Sequence, residues 1–392
     1  MLGLLLARAG LSVTVLEKHA DFFRDFRGDT IHPSTLTLLE ELGLLERFLE
    51  LPIHRVDTLD VLLNGERFSP LDFRTLEPPA DFLVLAPQWD LLDFLAREGE
   101  RYPTFEIRMG TNADAIVTDG DRVTGVDATG PDGPVRFEAT LTVAADGRHS
   151  TLRESAGMTA IESGVPIDVL WFDLVPGPDD DLAKVPPTLF ALDRGGFALA
   201  IPRGDHWQGG YVIEKGGFEA LRSEGIERFR ERVGTTAPFM AGAMQSVRSW
   251  EGVKLLSIQI DHLERWYRPG FICIGDAAHA MSPVGGVGVN YAVQDAVALA
   301  NAVVAPLRAG AVPELVLAGV QARREEPVFR MQRIQRFVHA RLKRAALGKG
   351  SPVPLAAMPL LRRLIPRLRR RITRLMGIGF LPEHIQTGPE HR

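Results

Sequence analysis

The chain is nearly without cysteine. Cys273 is the only one in 392 residues, which excludes an internal disulfide and any cysteine-cluster metal site and suits a cytoplasmic protein. It sits in an apolar run just before a glycine, the place of a small buried hydrophobe. The ten histidines are scattered, and none shows the HExxH spacing of a zinc-binding helix. No apolar run approaches the ~18 residues of a membrane span. The opening MLGLLLARAG has no basic leader and runs straight into a strand, so it reads as a helix of the fold and not as a secretion signal. Charge of one sign is not in large excess: the formal net charge is -5, and nothing overall points to nucleic acid. A G-x-S-x-G elbow, a Ser-His-Asp order and a lysine in a glycine-rich phosphate loop are all missing. Hydrolase, kinase and P-loop readings therefore lack residues, and the difficult chemistry falls to a cofactor.

What is present suffices for two cores, with 45% hydrophobic residues in a chain longer than a single core usually supports. Residues 2–9 read as a helix closed by Gly10, followed by the strand LSVTVLE over 11–17. A glycine-capped helix leading to a strand that ends in an acid is the second half of a mononucleotide-binding βαβ unit. Residues 34–49 read as an amphipathic helix interrupted near Gly43 and capped by Ser34 or Thr35. Asn64-Gly65 marks a hairpin, and Gln88 opens another helix. Strands are expected over 104–109, 112–118, 122–128 and 135–144, with Asp119-Gly120 and Asp132-Gly133 turns between them. Further strand-like runs fill 165–215. A charged helix is expected over 217–238, a strand over 252–260, and helices over 291–307 and about 313–343, the second broken or capped near Pro327. The expected fold is α/β, with a discontinuous nucleotide lobe from 1–58, 87–160 and 265–345. A mostly antiparallel sheet lobe comes from 59–86 and 161–264, and a basic helical tail from 346–392.

The most informative stretch is FICIGDAAHAMSPVGGVGVNYAVQDA, 271–296. A strand breaks at Gly275-Asp276. Small residues follow, with Pro283, Gly285, Gly286 and Gly288, and a helical pattern opens at Asn290. Backbone there is free to approach a large planar or phosphorylated ligand that side chains would exclude. Asp276 is placed for a sugar or ribityl hydroxyl, and the amides near Val289 and Asn290 for developing negative charge on a ring. His279 reads equally as a packing residue. Glu17 reads as a ribose ligand or as a strand-end charge beside Lys18. Arg27 in DFRGDT reads as a ligand arginine or as part of a solvated loop. Gln88 reads as a cofactor donor or a helix cap. Asp146-Gly147, at the end of VAADG, reads as a dinucleotide corner or an ordinary tight turn. Trp171, Phe190, Phe197 and Trp207 line a substrate pocket or pack the second core.

Together these motifs resemble the FAD-dependent aromatic hydroxylases, single-component flavoprotein monooxygenases with the p-hydroxybenzoate hydroxylase fold, over about residues 1–345. The resemblance implies that Glu17 in VTVLEKH binds ribose, that Arg27 serves the flavin-side loop, and that Gln88 in APQWDLLDFL contacts FAD. It implies that Asp146 and Gly147 in VAADGRHSTLR serve FAD and NAD(P)H. Gly275 and Asp276 would meet the ribityl chain, and Pro283, Gly286, Gly288, Val289 and Asn290 would border the isoalloxazine. The implied reaction uses NADH or NADPH, FAD and O2 to hydroxylate an aromatic or polyketide-like small molecule through a flavin C4a-hydroperoxide. Epoxidation or reduction on the same fold is the alternative within the class. The W-x-W-x-I-P stretch of flavin halogenases is missing, and SWEGVK at 249–254 does not match it. The GxGxxG fingerprint expected just before MLGLLLARAG is not in the sequence; Gly3 and Gly10 fall inside and at the end of the helix. This suggests a start upstream of Met1, or a weakened or silent flavin-fold protein that acts by binding. The stretch LRRLIPRLRRRITRL, 361–375, reads either as a helix docking on an anionic membrane surface or as a tail packed on the body with solvated arginines. Pro366 argues against one long helix.

Overall fold

The computed structural model describes residues 1–23, 30–177, 180, 189–193, 196–203, 206–346 and 354–388. Leu2–Arg8 is a helix and Val13–Glu17 a strand, joined through Gly10 at φ 77°. Gly3 lies against that strand. A Cβ on it would stand 2.9 Å from side-chain atoms of both Val15 and Phe105, so helix and sheet pack at a distance only glycine permits. Val13–Glu17 runs parallel to Phe105–Met109, and Thr142–Ala144 runs parallel to Phe271–Cys273. The helices Gly288–Arg308 and Glu314–Ala346 close over this layer, burying Leu5, Ile272, Cys273, Val297, Leu299 and Leu317 in one core. Burial pushes the Cys273 thiol up to about 12, as expected of a small core residue. The central strand that the resemblance supplies has no counterpart among the described residues. There, Val13–Glu17 pairs with Phe105–Met109 alone, and Thr142–Ala144 with Phe271–Cys273 alone.

The second layer is a seven-stranded sheet in the order Val253–Leu256, Ile167–Leu174, Trp207–Glu214, Gly196–Pro202, Leu189–Asp193, Thr58–Leu63, Glu66–Asp72. It is antiparallel except where Leu189–Asp193 meets Thr58–Leu63. Asn64 and Gly65, at φ 49° and 78°, make the tight turn between its last two strands, a conformation this residue pair adopts readily. In Ile167–Leu174, alternate residues face opposite ways. Ile167, Val169 and Trp171 join Val212, Ile258, Ile260 and Leu342. Leu170, Phe172 and Leu174 join Phe229, Val233 and Met240 on the other side. Both faces are covered, so the run is mostly apolar; buried Asp168 is satisfied by Lys215 and the Gly216 and Ile258 amides, and Asp173 is exposed.

Several boundaries differ from the sequence reading, each for a local reason. The expected strand over 135–144 is two, Gly133–Glu138 and Thr142–Ala144, which belong to different sheets. Gly225 at φ 93° splits the charged helix into Phe218–Ser223 and Ile226–Thr236. The run over 252–260 divides into Val253–Leu256 and Ile260–His262. The helix expected to be capped by Ser34 or Thr35 is instead capped by His32, with Pro33 in its first turn. Proline presets helical φ there, and the Thr35 hydroxyl donates to Asn290 at 2.7 Å. Pro327 does not break Glu314–Ala346, because Val320, Arg324, Val328 and Met331 are buried on both sides of it and packing outweighs one lost amide.

The described part of the tail, 354–388, packs on the body. Met358–Gly377 is one helix through Pro366. It is fastened by Thr373, whose hydroxyl accepts the Asp72 amide at 2.9 Å, and by Arg362, which donates to Glu66 at 2.8 Å. Beyond it an extended strap crosses the nucleotide layer. Arg8 donates to the Thr387 carbonyl at 2.7 Å, Asn301 to the His384 carbonyl at 2.8 Å, and the Ile385 amide to Glu41 at 2.8 Å.

Candidate active site

Two loop corners meet at the carboxyl ends of neighbouring parallel strands. Ala144 pairs with Cys273, so Asp146-Gly147 and Gly275-Asp276 leave the sheet side by side. This is where open α/β sheets place their ligands. Gly147 and Gly275 both have positive φ, 87° and 58°. A Cβ on Gly275 would stand 2.9 Å from that of Ala292, so the corner turns where a side chain does not fit. Arginines join the corners. Buried Arg153 donates to the Ala277 carbonyl at 3.1 Å and to the Arg148 carbonyl at 2.8 Å. The Arg148 guanidinium lies 3.9 Å from the half-exposed Asp276 carboxylate. Ser150 caps the helix Thr151–Ser155 by accepting the Arg153 amide at 3.0 Å, and Asp146 accepts the Leu152 amide at 3.2 Å. Two carboxylates, bare glycine backbone and a guanidinium are thus held at one edge.

The glycine-rich loop is held from both sides. Asn290 is the knot: its Oδ1 accepts from the His32 amide at 2.9 Å and the Thr35 hydroxyl at 2.7 Å, while its Nδ2 donates to the Thr30 and Gly286 carbonyls. Gly286, at φ 59°, presses on Thr30 so closely that a Cβ would overlap the threonine hydroxyl. His32 Nε2 donates to the Gly285 carbonyl at 3.0 Å, and burial lowers the His32 pKa to about 4, so the ring is neutral. On the other flank, Gln335 donates to the Ser282 and Val284 carbonyls at 2.9 and 3.0 Å. His339 Nε2 meets the Ser282 hydroxyl at 2.7 Å, and burial lowers its pKa to about 4 as well. Pro283 and Gly285 remain exposed, and the helix with its unsatisfied first amides starts at Gly288.

Beneath the Gly275 corner runs a buried ion network. Asp295 accepts the Gly275 amide at 3.0 Å, meets His279 Nε2 at 2.5 Å and accepts from Arg324 Nε at 3.0 Å. Burial raises its carboxyl, but His279 and Arg324 outweigh burial and hold it below the usual carboxylate range. Arg324 continues to Glu383 of the strap, which Arg323 also grips at 2.7 Å.

Gly275, Asp276, Asp146 and Gly147 therefore come together, and Gly286, Gly288, Val289 and Asn290 form the adjoining loop and helix start. Glu17 ends its strand with its carboxylate accepting the His19 amide at 2.9 Å. Gln88 is the first residue of the helix Gln88–Gly99. Arg27 lies outside the described residues. Asn290 spends its side chain on the protein. Trp171 and Phe197 share a cluster with Val284 of the glycine-rich loop, and Phe190 stacks on Phe197 at 5.9 Å. Trp207 packs into the opposite face of the sheet, the core-packing alternative of its sequence reading. Sequence reading missed Arg148 as the partner of Asp276, the Asp295–Arg324–Glu383 line, and the row Gln332, Gln335, His339. The i, i+3, i+7 spacing of that row within an apolar helix face was the available signal.

The family profile described as an FAD binding domain matches residues 1–331. Among characterised relatives, 6-methylpretetramide 4-monooxygenase of Streptomyces rimosus is 32% identical over 340 residues, 85% of this chain and 79% of that protein. Para-nitrophenol 4-monooxygenase of Pseudomonas sp. strain WBC-3 is 25% identical over 321 residues, 78% of this chain and 75% of that one. Among solved structures, PqsL of P. aeruginosa in complex with 2-aminobenzoylacetate superposes with a TM-score of 0.75 at 23% identity, covering 88% of this chain and 93% of that one. The anhydrotetracycline hydroxylase OxyS of Streptomyces rimosus does so with a TM-score of 0.72 at 22% identity, covering 96% and 72%.

Proposed function

Because this chain belongs to the single-component, p-hydroxybenzoate-hydroxylase-like FAD-dependent monooxygenases, we propose that it uses FAD, NAD(P)H and O2 to hydroxylate an aromatic, polyketide-like small molecule. The observation that carries this reading is the pair of corners Asp146-Gly147 and Gly275-Asp276 on adjacent parallel strands, joined by Arg148 and Arg153.

The residues present fit the flavin end of FAD. Gly275 and Gly286 stand where a Cβ would meet Ala292 or overlap Thr30, so the loop bordering the ring is backbone by necessity. In this proposal Asp276 holds the ribityl chain, Asp146 and Gly147 serve FAD and the nicotinamide cosubstrate, Glu17 takes the ribose and Gln88 contacts the cofactor. FAD, when bound, supplies the two-electron store through which NAD(P)H and O2 are coupled to insertion of one oxygen atom. The chain's own task is placement. The first amides of Gly288–Arg308 stabilise negative charge that develops at the ring. The apolar face carrying Trp171, Phe197, Leu199 and Ile201, in one cluster with Val284, keeps water from the reacting carbon. That face suits an aromatic substrate, in keeping with the relative named for 6-methylpretetramide. The reading requires no side-chain base, because an electron-rich ring needs positioning more than proton abstraction.

The test is a titration of the purified chain with FAD, followed by NAD(P)H oxidation against a panel of phenols and polycyclic polyketides. A flavin spectrum, substrate-stimulated NAD(P)H consumption and a product heavier by one oxygen are expected. A chain that stays colourless with FAD in excess overturns the reading.

A further inference from the structure

The helix Met358–Gly377 gives one face to the body and leaves another bare. Toward the body it directs Arg362, Arg369 and Thr373, which meet Glu66, Asp72 and the Asp72 amide, and Gly377, which sits against Pro33 and Phe73. Outward it carries Leu360, Leu364 and Leu368, exposed by 58%, 37% and 39%. Their i, i+4, i+8 spacing makes an apolar line about 12 Å long. Arg363, Arg367, Arg371 and Arg374 stand beside that line, all exposed, and none has an acidic partner among the described residues. The helix holds seven arginines and no acidic residue. Isolated exposed leucines need no explanation, but an apolar line edged by guanidiniums is the pattern of a helix lying in a membrane interface.

We propose that this face docks the protein on an anionic lipid bilayer, with the helix axis in the membrane plane. The leucines enter the boundary of headgroups and acyl chains, and the arginines bind lipid phosphates. Charge selects this occupant. A second copy packed through the same face by two-fold symmetry sets the four arginines against their own counterparts. An apolar groove on another protein takes the leucines and leaves the guanidiniums without partners. A phosphate-bearing surface satisfies both sets, since arginine binds phosphate through a fork of donors while its stem covers apolar surface. The helix ends beside the glycine-rich loop: a Cβ on Gly285 would stand 2.6 Å from Met376. The bilayer and the proposed site therefore share one element, although the docking itself does not depend on flavin chemistry.

The experiment is co-sedimentation of the full chain with vesicles of phosphatidylcholine alone and of phosphatidylcholine mixed with phosphatidylglycerol, at low and raised salt. Binding to the anionic vesicles alone is expected, falling about tenfold as salt screens the surface. The double variant Leu364→Ser/Leu368→Ser and the quadruple variant Arg363→Gln/Arg367→Gln/Arg371→Gln/Arg374→Gln each lose about tenfold in binding with unchanged melting temperature. The corresponding quadruple arginine-to-lysine variant keeps most of the binding, which guards against misfolding as the cause. The proposal is overturned by failure to sediment with either vesicle, by equal sedimentation with both, or by a leucine variant that shifts gel-filtration elution from dimer to monomer.

Discussion

Asp295 accepts the backbone amide of Gly275 at 3.0 Å, so a carboxylate inside the core fixes the turn that presents Asp276. The same carboxylate neutralises Arg324, and both side chains are shielded from water. Asp295→Asn therefore leaves a buried guanidinium with a weakened partner. It is expected to cost about 3 kcal/mol or more, the usual scale for breaking a buried pair. Urea denaturation with and without FAD checks this, and the variant should lose FAD affinity because the Gly275 turn loosens.

The Arg148–Asp276 pair, at 3.9 Å, is partly solvated and contributes little to stability. Its expected role is in ligand geometry. Asp276→Ala should weaken FAD binding about tenfold or more, the scale of one hydrogen bond to a charged group, with a melting temperature close to that of the parent chain. Quenching of flavin fluorescence measures the affinity. Equal affinity of the two chains would remove Asp276 from the site.

Gly286→Ala places a methyl group on the Thr30 hydroxyl at a residue with φ 59°. The left-handed conformation alone costs about 1–2 kcal/mol, and the overlap adds to it. Thr30→Ala in the same chain should restore part of the loss, since the clash is with that hydroxyl, while the backbone cost remains. A double-mutant cycle on thermal unfolding separates the two.

Two neutral histidines give the protein an acid limit. His32 and His339 have pKa values lowered by burial to about 4, against about 6.5 in the unfolded chain. The unfolded state takes up protons first, so stability is full above pH ~6.5 and drains as pH falls toward 4. Each histidine should cost about 2 kcal/mol between pH 7 and pH 5. Asp295 acts in a lower window: its depressed carboxyl supports the fold above the unfolded carboxylate pKa, and that support is lost only as pH falls below it. Melting temperature against pH tests the order. His339→Gln, which can still bond Ser282, should flatten the slope between pH 7 and pH 5 and leave the lower transition in place.

Much of the site was legible because it is made of backbone. Gly275, Gly286 and Asp146-Gly147 announce themselves by residue type, since only certain residues tolerate those turns. The hairpin at Asn64-Gly65 was readable for the same reason. What the sequence hid was pairing at a distance. Nothing in the strings DGRHS and IGDAA says that Arg148 faces Asp276, because that contact depends on Thr142–Ala144 lying beside Phe271–Cys273. Asn290 looked like a ligand residue, and its side chain proved to tie Thr30, His32 and Thr35 to the loop. Pro327 and Pro366 looked like breaks, yet both sit inside helices held by tertiary packing, where local propensity yields. Trp207 was indistinguishable from Trp171 until the sheet gave each a face.

The strap also sets a schedule. Arg8 finds its partner at Thr387, 379 residues further along the chain. At ribosomal rates of about 5–20 residues per second, that separation amounts to roughly 20–75 s of synthesis. The first helix gains its Arg8 bond only after residue 387 has left the exit tunnel, and the Asp295–Arg324–Glu383 line is complete only after residue 383 has. During that interval the half-built nucleotide layer exposes surface to solvent, and a nascent chain stalled in the region of the arginine-rich helix should bind chaperones in place of flavin.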